Sequence, residues 1–173
     1  MTKTIAAGAL LTLSVATFAF AQKKQASPPA QTSATFGGKA VKIDYSAPSV
    51  RGRKIFGDLV PLGKVWRTGA NASTTLTTDV NLEMKGLKIP KGKYSLYSVP
   101  RDGGFTLIVN KQTGQWGTDF DATQDLGRVE LDAGKADASV ETMVITLKAA
   151  GDAKGTLTIA WDKLTASAPF TAQ

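Results

Sequence analysis

Leu87-Lys-Ile-Pro-Lys-Gly-Lys-Tyr-Ser-Leu-Tyr-Ser-Val-Pro100, then Arg101-Asp-Gly-Gly104 and Phe105-Thr-Leu-Ile-Val-Asn110, is the stretch that decides the fold. Pro90-Lys-Gly92 is a turn signal, since proline presets one backbone angle and glycine frees the next. After it the side chains alternate. Tyr94, Leu96 and Ser98 share one face, and Ser95, Tyr97 and Val99 share the other. A period of two is a strand, and apolar residues on both faces place it where both faces of a sheet are covered. Arg101-Asp-Gly-Gly104 turns the chain, and Phe105 to Asn110 returns as the hairpin partner.

The same alternation recurs on either side. Val41, Ile43 and Tyr45 oppose Lys42 and Asp44 within Ala40 to Tyr45. Ser73 to Thr78 is rich in β-branched residues, which fit a pleated surface. Val80, Leu82 and Met84 alternate with Asn81 and Glu83, and Arg128 to Asp132, Val140 to Leu147 and Thr156 to Trp161 read as further strands. Asp162 to Phe170 is expected as a terminal edge strand. No segment of helical length shows a 3.6-residue period. Seven to nine short strands with turns between them predict an all-β, antiparallel, jelly-roll-like sandwich, with a closed β-barrel as the alternative.

The chain begins with an address. Met1-Thr-Lys3 is a short positive start, Ile5 to Phe20 is apolar or small, and Ala19-Phe-Ala21 fits a small-x-small cleavage site. Residues 1–21 are expected to be a signal peptide, 22–35 a flexible tether, and 36–170 one sandwich domain. A periplasmic or secreted location follows, with no transmembrane segment in the mature chain.

Composition limits the chemistry. The 173 residues hold no cysteine and no histidine. Disulfides, thiol nucleophiles, cysteine metal sites and the commonest general base are therefore excluded. The net charge of +7 is unevenly placed: Lys23 to Lys111 holds fifteen basic and five acidic residues, Gln112 to Gln173 five basic and nine acidic. A basic half in an exported chain points to an anionic partner or to a solvated face. No nucleic-acid reading motif is present.

Two long irregular stretches, Tyr45 to Asn71 and Lys111 to Gly127, interrupt the strands. Loops of that length are usually functional and need side-chain packing to be ordered. They and the strand ends beside them hold the candidate ligand-binding set: Tyr45, Arg51, Arg53, Trp66, Arg67, Asn71, Asn110 and Trp116. Tryptophan offers a flat apolar face, arginine a fork for carboxylate or phosphate, and asparagine a donor with an acceptor. The plainer reading makes Trp66 and Trp116 plugs at the end of a sandwich and Arg67 half of a structural ion pair with Asp44, Asp58 or Asp125. Gly57 to Lys64 only mimics a phosphate loop: it has one residue too many between the glycines, and Val65 stands where magnesium needs Ser or Thr. Asp119, Asp121 and Glu130 fall near calcium-loop positions, but Gln124 occupies the place of the turn glycine.

Tyr45-Ser-x-Pro-Ser-Val-x-Gly-Arg53, Ile55-Phe-Gly-x-Leu-Val-Pro-x-Gly-Lys-Val-Trp-Arg-Thr-Gly-Ala-Asn71, Ile89-Pro-x-Gly-Lys-Tyr-Ser-Leu-Tyr-Ser-Val-Pro100 and Asn110-Lys with Gln115-Trp-Gly117 together carry a resemblance. The chain resembles domain-of-unknown-function family 2911, DUF2911, a bacterial family of exported domains, from about Phe36 to Asp162. The resemblance implies an exported β-rich domain and supplies no catalytic residue. It departs from the family pattern at Ala72-Ser73, where an acidic residue usually follows Ala-Asn.

The reading that follows is a binding module for an anionic or carbohydrate ligand, with no cofactor and no catalytic residue assigned. A structural or interaction protein of the cell envelope is the alternative, and a histidine-free hydrolase a further one. Mass spectrometry of the protein from its native envelope should show an N-terminus at Gln22; an intact Met1 species as the main form would overturn the export reading.

Overall fold

The computed structural model describes residues 26–102 and 104–173. The strands are β1 (Pro29–Phe36), β2 (Lys39–Ser46), β3 (Thr74–Thr78), β4 (Leu82–Met84), β5 (Leu87–Ile89), β6 (Gly92–Arg101), β7 (Gly104–Asn110), β8 (Asp125–Ala149) and β9 (Lys154–Ala172). A 3-10 turn at Ala122–Gln124 precedes β8. Every pairing is antiparallel, in the order β1-β2-β3-β6-β7-β8-β9-β4-β5. The sheet stays open, with β1 and β5 at its edges, so the all-β sandwich-like architecture holds and the closed barrel does not.

Two very long strands turn one sheet into two packed layers. The first part of β8, Asp125 to Leu131, pairs with β7, and the remainder from Asp132 pairs with β9. Its register shifts between Lys135 and Val140 and again before Val144, and irregularities of this kind bend a strand. Asp162 in β9 has φ +53°, so the bend is shared. The sequence shows each of these strands as two shorter segments, because the alternation breaks at that bend.

The inward faces of the two layers line one interior. Val41, Ile43, Leu96, Leu107 and Val109 meet Met84, Leu147, Leu157 and Phe170 there, with only about 10 Å³ of space left. The central hairpin is covered on its other side too: Tyr97, Val99 and Ile108 form a second apolar cluster, closed by Phe120. This is the two-sided burial that the alternation in β6 required.

Where β8 leaves β7, groups from β1, β2 and the start of the first loop satisfy its freed edge. Tyr45 Oη accepts from the Ile145 N–H at 3.1 Å, and Thr32 Oγ1 accepts from the Leu147 N–H at 3.1 Å. The Pro48 carbonyl accepts from the Met143 N–H at 2.9 Å, and the Val50 N–H donates to the Glu141 carbonyl at 2.7 Å. Buried backbone groups need partners, and here the partners are other parts of the chain.

Strand β1 corrects the expected 22–35 tether from Pro29 onward; residues 22–25 lie outside the described residues. Pro29–Phe36 pairs with β2 along its whole length, so the domain begins before Phe36. Its side chains are small or polar apart from Phe36, and backbone pairing, rather than an apolar pattern, makes it a strand. The expected signal peptide lies outside the described residues. Among the described residues no helix is long and apolar enough to cross a membrane.

Gly155 opens β9 beneath the Phe36–Phe170 pair, whose rings meet edge to face at 5.3 Å. A Cβ there would lie 2.7 Å from Phe36 Cζ and closer still to Phe170. Gly155→Ala should cost about 1–3 kcal/mol through overpacking. In urea unfolding the midpoint should fall with the slope unchanged; an unchanged midpoint would show that the two rings yield freely.

Candidate functional site

The first loop is hung on one ring. Trp161 of β9 is buried, and Trp66 stacks on it at 5.6 Å with 16° between planes. Phe56 meets Trp161 edge on at 6.1 Å. Backbone bonds between Trp66 and Ser98, 2.7 and 2.8 Å long, lay the loop beside β6. Neighbouring residues on extended chain point to opposite faces. Trp66 therefore goes into the sandwich, and Arg67 emerges on the outer side, over Tyr97 and Gly117.

The segment after Arg67 is held in an uncommon conformation. Thr68 and Asn71 have φ of +48° and +59°. Left-handed backbone is costly for a β-branched residue, on the order of 1–3 kcal/mol, and persists only when its surroundings enforce it. Here Thr68 Oγ1 shares a 2.9 Å hydrogen bond with Ser98 Oγ, and the Thr68 carbonyl accepts from Thr74 Oγ1 at 2.9 Å. Gly69 fits because a Cβ there would lie 2.9 Å from Thr74 Oγ1.

The second loop is fixed to the outer face of the hairpin and to the first loop. Gln115 Nε2 donates to Ser95 Oγ at 3.1 Å and to Tyr97 Oη at 2.9 Å. Phe120 packs on Tyr97 with ring centres 4.8 Å apart. The Gly117 N–H donates to the Asn71 carbonyl at 3.0 Å, and the Ser73 N–H to the Gln115 carbonyl at 3.3 Å. Gly117 must be glycine: a Cβ would overlap Arg67 Cδ and lie 2.6 Å from the Asn71 oxygen.

Between the two loops lies an open cleft of about 360 Å³, lined by Val65, Trp66, Arg67, Tyr97, Gly117 and Phe120 among others. Arg67 forms no ion pair among the described residues. Its Nε is buried without a hydrogen-bond partner among the described residues, as is Gln115 Oε1. Burial pushes the Tyr97 phenol above its ordinary range; nearby Asp119 adds to the rise, and the bond from Gln115 opposes it.

The eight candidate residues do not converge. Arg67 lines the cleft; Trp66 lines it with one edge while its face serves the core. Trp116, beside Gly117, is 53% exposed. Asn71 contributes its carbonyl to the loop pairing, while its side-chain amide reaches the Ser27 carbonyl at 3.4 Å. Asn110 is fully buried: it donates to the Asp121 carbonyl and to Asp125, and accepts from the Gln112 N–H. Tyr45 sits at the seam with β8. Arg51 reaches the Ala26 carbonyl, and Arg53 the carbonyls of Val50 and Ser49.

The calcium candidates are not gathered either. Asp121 Oδ1 accepts from Thr123 Oγ1 and N, which holds its carboxyl below the usual range. Glu130 accepts from Thr106 Oγ1 at 2.9 Å and faces Arg101 at 3.3 Å. No cluster of three metal-ligating side chains occurs among the described residues. Sequence reasoning missed Tyr97, Gly117 and Phe120 as cleft residues, and Gln115 as the side chain that holds Tyr97. The signal available was Gln115-Trp-Gly117, together with the second apolar face of β6.

Fold and site together define an all-β domain whose two long loops frame a small cleft on the outside of its central hairpin. The chain belongs to the family DUF2911, described as a protein of unknown function: the family's model matches residues 27–170. Neither the curated proteins nor the solved structures give a match.

The buried phenols set an alkaline limit. Burial raises Tyr94 and Tyr97 from the ordinary 10.0, so the folded chain keeps protons that the unfolded chain releases. The stability tied to them is complete below the unfolded value and is lost as pH rises through the raised one. Melting temperatures should therefore fall above about pH 10, and Tyr97→Phe should flatten that decline. An alkaline slope unchanged by Tyr97→Phe would remove Tyr97 from it.

Proposed function

We propose that this chain is an exported binding domain that holds a small anionic ligand, a carboxylate or an acidic sugar, in the cleft between its two loops. The observation that carries the reading is Arg67: a guanidinium without an acidic partner among the described residues, with its Nε buried and unanswered by them, on the wall of an open cleft. A carboxylate facing that fork would meet parallel N–H donors. Tyr97 and Phe120 supply an apolar wall, and exposed Trp116 stands beside it. Asp119, close enough to act on Tyr97, disfavours a polyanion and suits a ligand that carries one negative charge with hydroxyl or amine donors. The strained Thr68–Asn71 turn directly after Arg67 is consistent with a site held ready. Export rests on the layout of residues 1–21.

An envelope interaction protein remains the second reading. The observation favouring it is the density of bonds between the two loops, which would order them without any ligand.

The discriminating variant is Arg67→Met, which keeps the stem over Gly117 and removes the charge. No carboxylate is stranded by it, so the melting point should stay near the parent's, within the roughly 0.5 kcal/mol usual for partly exposed sites. The parent should be stabilised by members of a panel of carboxylic acids and uronic acids, because a ligand bound to the folded state raises its melting point. Arg67→Met should lose that response. A response retained in Arg67→Met, or a loss of about 3–5 kcal/mol such as follows breaking a buried ion pair, would count against the binding reading.

A further inference from the structure

The first loop spends its apolar residues in two directions. Ile55 and Val60 are buried and turn the loop back on itself, the Val60 N–H donating to the Ile55 carbonyl at 2.9 Å. The Gly63 N–H then fastens it to the Pro100 carbonyl at 2.8 Å. Leu59, Leu62 and Val65 instead face solvent at 45%, 48% and 40% exposure. The core does not need them, and three large aliphatic side chains exposed within seven residues of one loop are the kind of feature that marks an interaction surface.

The patch is set among cations. Lys54 and Lys64 belong to the same loop, and neither is ion-paired among the described residues. From Arg51 to Arg67 the loop holds five basic residues against one acid, Asp58. Phe56, from the same loop, lines a hollow of about 460 Å³ with Leu164, Ala133 and Gly134, and Lys135 and Lys163 stand at it. Asp162, also at this hollow, accepts from Ser139 Oγ at 2.8 Å.

We infer that this end of the molecule docks on an anionic lipid bilayer, with Leu59, Leu62 and Val65 entering the headgroup region and Lys54, Lys64, Lys135 and Lys163 meeting lipid phosphates. Charge complementarity selects the bilayer over a second copy of the chain, which would bring the same cations face to face. Aliphatic residues on a tethered loop flanked by lysines can bury their ends among acyl chains while the ammonium groups stay in the headgroup layer. Val65 also lines the cleft, but the inference rests on Leu59, Leu62 and the lysines and stands without the Arg67 reading.

The absence of cysteine makes the test local. Leu62→Cys and Val144→Cys in the full chain each give one attachment point for a polarity-sensitive dye; Val144 is an exposed residue of β8, 43% accessible, outside the loop. With vesicles of phosphatidylcholine containing roughly one quarter phosphatidylglycerol, the Leu62 dye should shift to the blue, and the Val144 dye should not. Phosphatidylcholine alone should give no shift. Lys54→Glu with Lys64→Glu should weaken the Leu62 response about tenfold or more, since each loop lysine meets the negative surface. The inference fails if the Leu62 dye does not move, if it moves equally with neutral vesicles, or if Val144 moves as much. A shift produced by concentrating the protein without vesicles would overturn it in favour of self-association.

Discussion

The Trp66–Trp161 stack governs how the rest of the surface is displayed. It joins the longest irregular stretch of the chain to a strand nearly a hundred residues away, and an offset aromatic pair has preferred geometry as well as apolar area. Once Trp66 is turned inward and paired with Ser98, Arg67 can only point outward. Once Phe56 is drawn towards the same ring, Ile55 and Val60 follow it into the core, and Leu59, Leu62 and Val65 are left on the rim. The cleft and the apolar rim thus follow from one anchoring contact.

The fold was legible where burial imposes a period. β6 showed apolar residues on both faces and does lie between β3 and β7, with one core on each side. β1 was illegible because an edge strand of alanine, threonine and serine carries no apolar alternation; its order comes from pairing with β2. β8 and β9 were read as shorter pieces because a bend interrupts alternation without interrupting the strand. Such a bend depends on which layers the two halves join, and neighbouring residues do not encode that.

The site was legible in part for a similar reason. The residue types were right for binding, but type does not reveal direction. Asn110 and Tyr45 satisfy backbone and loop groups that would otherwise be orphaned, and Arg51 and Arg53 bind carbonyls near them in space. Gly117 and Gln115 matter to the cleft through what they permit and hold, properties visible only when Arg67 and Tyr97 lie against them.

The place of β9 has a consequence for timing. The last strand of the chain lies inside the sheet, between β8 and β4, and β4 with β5 joins the sheet only through it. The β4–β5 hairpin can pair locally, but its joining to the sheet must wait for residues near 170. Contacts so distant in sequence make folding slow and late, because long loops must close before any pairing rewards them. Without residues 154–172 the layer that β8, β9, β4 and β5 form cannot be completed. For the exported life proposed here that delay is an advantage: a polypeptide that must be threaded through a membrane pore crosses before it can fold.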